Sequence, residues 1–318
     1  MSRRLWVAVA AGVLLLAGCA IPHPKDSHGV TKVAATPAVA DAVYDRYRVV
    51  RKRALNRLDP QPLTTVEGGP VLAIDAGKLT VARRLLLSDR PDSTQDLRIL
   101  DVYAPRLGSY PLWFVVVVED RVRDLTKVQV FQRESSTTAW QLVASPETLT
   151  STELPAFALD GTDALKPVDP LRVDHMTMSP QDAIDAYAAT LNHPAAESQV
   201  SEDSFVTQMR KVAAQQRRVD GVAFTQNWTA RPVQYSLRAA DGGALVFGTL
   251  NRTDRYQIEK GRAIDWPEGS EQKAFLSGRL YTTGELRYYH QILVYVPPDE
   301  GKPVVLGQYG GVVDGFGY

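Results

Sequence analysis

The chain has 318 residues, 44% of them apolar and 23% charged, enough for a packed core and more than one average domain holds, so two domains are expected. Lys and Arg number 36, as do Asp and Glu, and a neutral chain carries no electrostatic footprint for nucleic acid. The one cysteine, Cys19, sits too near the N-terminus for a core, which excludes a disulfide, a thiolate nucleophile and a cysteine-based metal site from the body.

Ser2, Arg3 and Arg4 form a short cationic region, and Leu5 to Leu16 follow as an uncharged apolar run. That is the layout of an export signal, too short to span a membrane permanently. The run ends in Leu16-Ala17-Gly18-Cys19, which resembles the lipobox of bacterial lipoproteins: a branched apolar residue, two small residues for a narrow protease site, then the lipid-accepting thiol. The resemblance implies a signal peptide over residues 1–18, cleavage after Gly18 and a diacylglyceryl group on the Cys19 sulfur. Acyl chains of the palmitate kind would then hold the protein at the outer, extracytoplasmic face of the cell membrane. Two chains anchor stably where one binds marginally, since each buried CH₂ contributes about 0.8 kcal/mol. Ser2-Arg3-Arg4-Leu5-Trp6 also matches part of a twin-arginine signal, which leaves the export route open. Residues 19–36 read as a lipidated flexible tether, with His23 and His28 as spacer residues.

Thr36-Pro37 opens a helix, with a hydroxyl at the N-cap and Pro at the first position. Ala40, Val43, Tyr44, Tyr47, Val50, Ala54, Leu55 and Leu58 recur at helical spacing until Asp59-Pro60, and Arg46, Arg48, Arg51, Lys52, Arg53 and Arg57 are expected to cover a solvated face for the most part. Val71 to Leu87 predicts a second, shorter helix and a connection. Strands follow over Leu97 to Tyr103, Leu112 to Glu119, Val128 to Arg133 and Trp140 to Ala144. Leu112 to Val118 is apolar on both parities, as a central strand covered on both faces would be.

The second half repeats this order. Ser179-Pro180-Gln181-Asp182 has the shape of a capping box, followed by a stripe of Ala183, Ile184, Tyr187, Ala188 and Leu191. A second helix carries Phe205, Met209, Val212 and Ala213. Strands are expected over Val222 to Thr229, Val233 to Arg238, Ala244 to Leu250, Tyr256 to Glu259, Leu286 to Val296 and Val304 to Gln308.

The fold class is α+β, as two tandem domains, each with N-terminal helices packed on a curved antiparallel sheet. In element order, and in local patterns such as Val130-Phe131-Gln132-Arg133 and Trp140-Gln141-Leu142-Val143, this is similar to tandem cystatin-like or NTF2-like domains. With the lipobox and the excess of Arg over Lys, 26 to 10, the chain also resembles two-domain lipoproteins of high-GC Gram-positive bacteria. The expected domains are residues 37–160 and 175–318, joined by a linker over 161–174.

Chemistry-bearing motifs are few. Ala76-Gly77-Lys78-Leu79-Thr80 fails as a phosphate loop, because a Leu interrupts the Gly-Lys-Thr triplet. No Gly-x-Ser-x-Gly elbow, His-Glu-x-x-His pair or dinucleotide fingerprint is present, so no catalytic, cofactor-binding or metal residue is assigned and no cofactor is expected. His175, beside Asp174, reads as a loop residue, and His193 as a helix C-terminal cap. Strand alternation places Leu286, Tyr288, His290, Ile292, Val294 and Val296 on one inward face, with Tyr256 on a facing strand. Tyr256, Tyr288 and His290 are therefore the candidate cavity-lining residues, the phenols serving as hydrogen-bond partners of a neutral imidazole. The expected function is a non-enzymatic binding or assembly module of the cell envelope, whose partners are the membrane through Cys19 and an envelope protein or small ligand, with no nucleic acid. The alternative is an NTF2-like hydrolase or isomerase with a small cavity in the second domain.

Overall fold

The computed structural model describes residues 31–85, 96–276 and 278–318. The export signal, Cys19 and most of the tether, His23 and His28 included, lie outside the described residues. Strand β1 (Lys32–Val33) leads into helix α1 (Pro37–Arg57), whose N-cap Thr36 accepts from the Val39 N–H. A 3-10 turn over Gln61–Thr65 leads to α2 (Gly69–Arg84), the second, shorter helix expected there, and Arg51, expected on the solvated face of α1, is instead buried, because its Nε donates to the Asp75 carboxylate of α2 at 3.2 Å. Strands β2 (Leu97–Tyr103), β3 (Arg106–Leu107), β4 (Leu112–Asp120), β5 (Leu125–Arg133), β6 (Gln141–Ala144) and β7 (Glu147–Leu149) complete the first half.

In the second half come α3 (Pro180–Asn192), α4 (Ser204–Gln216), β8 (Val222–Ala230), β9 (Tyr235–Arg238) and β10 (Ala244–Ile258). Helix α5 (Glu271–Phe275) and strands β11 (Thr283–Val296) and β12 (Val304–Gly317) follow. The Ser179 hydroxyl caps α3, accepting from the Asp182 N–H at 3.1 Å and donating to the Asp182 carboxylate at 2.6 Å. A cap of this kind contributes about 1 kcal/mol. The stripe Ala183, Ile184, Tyr187, Ala188 and Leu191 is wholly buried, as its spacing requires.

The fold is α+β: β1 and β3 pair as a small two-stranded sheet, and the other strands join into one ten-stranded sheet with main path β2-β4-β5-β7-β12-β11-β10-β8, β6 pairing with β5 and β9 with β10. The two halves meet at β7 and β12, through the pair Gln308 and Glu147. Each half keeps its own helix-covered core: α1 residues Ala40, Tyr44 and Tyr47 lie on Phe114, Val116, Val118 and Phe131, and α3 residues Ile184 and Tyr187 lie on Val246, Leu250, Ile292 and Val294. A third apolar layer belongs to both halves. Trp113, Val115, Val128 and Val130 pack with Tyr235, Leu237, Leu245, Phe247 and Leu293. Strand β4 is therefore covered on both faces, as its sequence demands, by α1 on one side and by strands of the second half on the other.

The segment over 161–174 lies against this shared layer. Leu165 donates to the Ala104 carbonyl and Val168 to the Ser236 carbonyl, at 3.0 and 2.9 Å, and both side chains are buried. Helix α2 also crosses the seam, packing its Gly77 against the β12 backbone so closely that a Cβ there would stand 1.9 Å from the Val312 carbonyl oxygen.

Two strands run further than the sequence suggests. Residues 251–255 read as a polar break, yet β10 passes straight through, because Arg252 and Asp254, 6% and 1% exposed, pair with each other inside the sheet. Strand β12 continues past Gln308 through glycines that read as loop. Gly310 lies opposite His290, whose Nδ1 would be 2.4 Å from an added Cβ, so the strand needs a residue without one there.

Candidate functional site

The three residues singled out by strand alternation lie on β10 and β11, on the helix-covered side of the sheet. His290 is buried among rings, its centroid 5.0 Å from Trp228, 5.3 Å from Phe205 and 6.1 Å from Tyr288. Tyr288 and His290 stand two residues apart on one strand with rings 23° from parallel, so the phenol projects past the imidazole. The expected hydrogen bond is consequently not made: Nε2 of His290 has no partner. Burial, with the nearby charges of Arg252 and Lys78, pushes the imidazole pKa down to about 3, so the ring is neutral. Arg252 lies 4.1 Å over the Tyr288 ring and donates to Asp254, which also accepts from Gln226. Tyr256 packs at the edge of Trp266 and lines a surface pocket of about 190 Å³ with Arg255, Glu285 and Phe316.

The other histidines stand as their positions suggest. His193 is the C-cap of α3, its N–H donating to the Ala189 carbonyl. His175 is an exposed loop residue, and the neighbouring Asp174 carboxylate pairs with Arg172 and Arg238, at 3.3 and 3.8 Å. Among the described residues no group of three or more His, Cys, Asp and Glu is placed to hold a metal ion, and no helix is long and apolar enough to cross a membrane.

A polar cavity of about 410 Å³ lies at the seam between the halves. One wall is the turn into α2, at Gly68, Gly69 and Pro70, with Gln141 and Val143 of β6 and Gln132 at the end of β5. Facing it are Arg231, Pro232, Gln234 and Tyr235, which lead into β9, and Phe247, Thr249 and Gln291 of β10 and β11. Gln291 links the walls: its side-chain amide donates to the Val143 carbonyl at 2.8 Å and accepts from the Ser145 N–H at 2.9 Å. In effect a single side chain pairs with β6 as a strand backbone would.

Among the described residues, one buried side-chain group lining this cavity lacks a protein partner. The Tyr235 side chain is 6% exposed, its ring edge-on to Trp113 at 5.6 Å, and its hydroxyl is buried without a hydrogen bond. Burial, with the Glu134 carboxylate adding to it, holds the phenol pKa above its ordinary value, so the group is a neutral donor. Helix α2 starts with no side-chain cap, and the Gly68 N–H before it donates to the Leu142 carbonyl at 2.9 Å. At the mouth, Arg231 and Glu134 are both exposed; the guanidinium rests 5.4 Å over the Tyr289 ring, and Glu134 accepts from Gln132. Tyr235 lies in the strand expected over Val233 to Arg238, but the glutamines carried no signal that set them apart from surface polarity.

A second, apolar groove of about 330 Å³ runs between Val39, Val43 and Tyr47 of α1 and Trp140. Its floor is the buried Tyr47 and Val66, and its rim is formed by the exposed Ala38, Val39, Ala42 and Arg46.

Residues 31–317 match a family described as a domain of unknown function, DUF8094. A Streptomyces coelicolor protein named Uncharacterized lipoprotein SCO6871 is 29% identical over 170 residues, covering 49% of this chain. The match spans 48% of that protein's length. No solved structure matches the chain.

Proposed function

The chain belongs to the DUF8094 family, and from that membership and the seam cavity we propose a lipoprotein held at the extracytoplasmic face of the cell membrane by acyl chains on Cys19, serving as a non-enzymatic binding module. The observation that carries the binding role is the seam cavity itself, where the turn into α2 and the ends of β5 and β6 face β9, β10 and β11 and a buried Tyr235 hydroxyl lacks a partner. Buried polar groups are normally paired, and one left open beside a cavity is a place where a ligand supplies the missing bond. The anchor is supported by the Leu16-Ala17-Gly18-Cys19 run and by the word lipoprotein in the name of the Streptomyces relative. An acid-base role has less support at His290, whose pKa of about 3 leaves it a weak base deep among rings.

A paired experiment tests both parts. Cys19→Ser should move the protein from the detergent to the aqueous phase of a phase partition, and persistence in detergent overturns the anchor. Gln234→Trp, which fills the cavity mouth from an exposed position, should keep membrane attachment and melting temperature yet fail to complement a deletion strain. Full complementation would overturn the role of the cavity.

A further inference from the structure

We infer that the seam cavity takes a short peptide with a free amino group and a free carboxylate. This rests on the binding role proposed for the cavity, and it adds the chemical class of the ligand.

The lining decides the class. The two charges at the mouth, Arg231 and Glu134, are of opposite sign and neither is ion-paired with another described residue, so the cavity is neutral as a whole but polarised across its opening. An anion alone meets Glu134 and a cation alone meets Arg231. A zwitterion satisfies both.

Between the charged ends, the lining groups are amides and hydroxyls. Gln234, Thr249 and the Tyr235 hydroxyl offer donors and acceptors of the kind a peptide backbone pairs with, while Pro232 and Phe247 supply apolar surface for side chains. A carboxamide pairs with a peptide group through its N–H and its carbonyl together, as Gln291 already does with Val143 and Ser145 within the fold. The volume of about 410 Å³ holds two to three residues and excludes a folded partner.

The test uses the mature chain with Cys19→Ser and a randomised tripeptide mixture in three forms: free, N-acetylated and C-amidated. Calorimetric titration should show binding of the free mixture, with each capped form at least tenfold weaker. Arg231→Gln should remove the preference for a free carboxylate, and Glu134→Gln the preference for a free amine, each leaving the melting temperature unchanged because both side chains are exposed. Equal binding of free and capped mixtures overturns the zwitterion and leaves the cavity as a peptide site. Absence of binding by any form, at millimolar peptide, overturns the peptide ligand. The proposed binding role then stands or falls on the Gln234→Trp complementation, which needs no peptide.

Discussion

Tyr235→Phe separates stability from function at the seam. The hydroxyl is buried with under 1 Å² of its surface in contact with solvent and makes no hydrogen bond. A buried hydroxyl without a partner costs about 1–3 kcal/mol in folded proteins. Phe keeps the ring that stands edge-on to Trp113 at 5.6 Å and removes only the oxygen, so the apolar contacts of the shared layer are preserved. The variant should therefore be more stable by about 1 kcal/mol, which for a chain of this size raises the melting temperature by about 2–4 °C. Binding should move the other way, because a ligand that supplied the missing partner loses one hydrogen bond of about 1.4 kcal/mol, or tenfold in affinity. Differential scanning calorimetry reads the first effect and titration with the free tripeptide mixture the second. A fall in melting temperature by more than about 2 °C would mean that the hydroxyl holds the fold together, and the reasoning that marks it as a ligand group would fail.

Two further outcomes test the frame that holds the site. Gly77→Ala drives a Cβ into the Val312 carbonyl oxygen across the seam and should cost at least about 3 kcal/mol, whereas Gly311→Ala, whose nearest neighbours would be 3.6 Å away, should cost far less; equal urea midpoints for the two would refute the close approach of α2 and β12. His290 has a folded pKa of about 3 against an ordinary value of 6.5, so the unfolded chain takes up a proton that the folded chain refuses. Its contribution to stability is complete above about pH 6.5 and is lost as pH falls toward 3, by about 1.4 kcal/mol per pH unit. Burial and the nearby Asp75 raise the Glu67 carboxyl, which works in the opposite sense, so the measurement is the difference between wild type and His290→Gln across pH 4 to 7.5. A difference that does not change with pH would contradict the burial of a neutral imidazole.

Much of the fold is legible in the sequence because its elements are locally consistent. Thr36-Pro37 and Ser179-Pro180 mark helix starts in the structure, and the double-sided apolar run from Leu112 to Val118 is a central strand. The errors have a common physical source. Arg252 and Asp254 look like a turn because charged residues rarely enter a strand interior, but each is the other's counter-charge and together they can be buried. The glycines of β12 look like a loop, yet at Gly310, Gly315 and Gly317 close neighbours leave no room for a Cβ, His290 being the neighbour of Gly310. In both cases a partner distant in sequence or across the sheet overrides a local preference.

The same reasoning explains why the seam escaped notice while His290 drew attention. A histidine on an apolar face stands out against its own strand, and the sequence pattern correctly turns it inward, where its neighbours are rings. Gln132, Gln141, Gln234 and Gln291 stand out against nothing, since each alternates with apolar residues as any exposed strand residue would. They become a group only when the sheet brings β5 and β6 opposite β10 and β11, more than a hundred residues away in the chain. Gln291 shows the consequence. Its carboxamide is 2% exposed and fully used in joining Val143 and Ser145, so one of the four glutamines builds the cavity while Gln234, exposed at the mouth, remains available to a ligand. Distinguishing those two roles requires the pairing of strands across the seam, which no spacing within either half encodes.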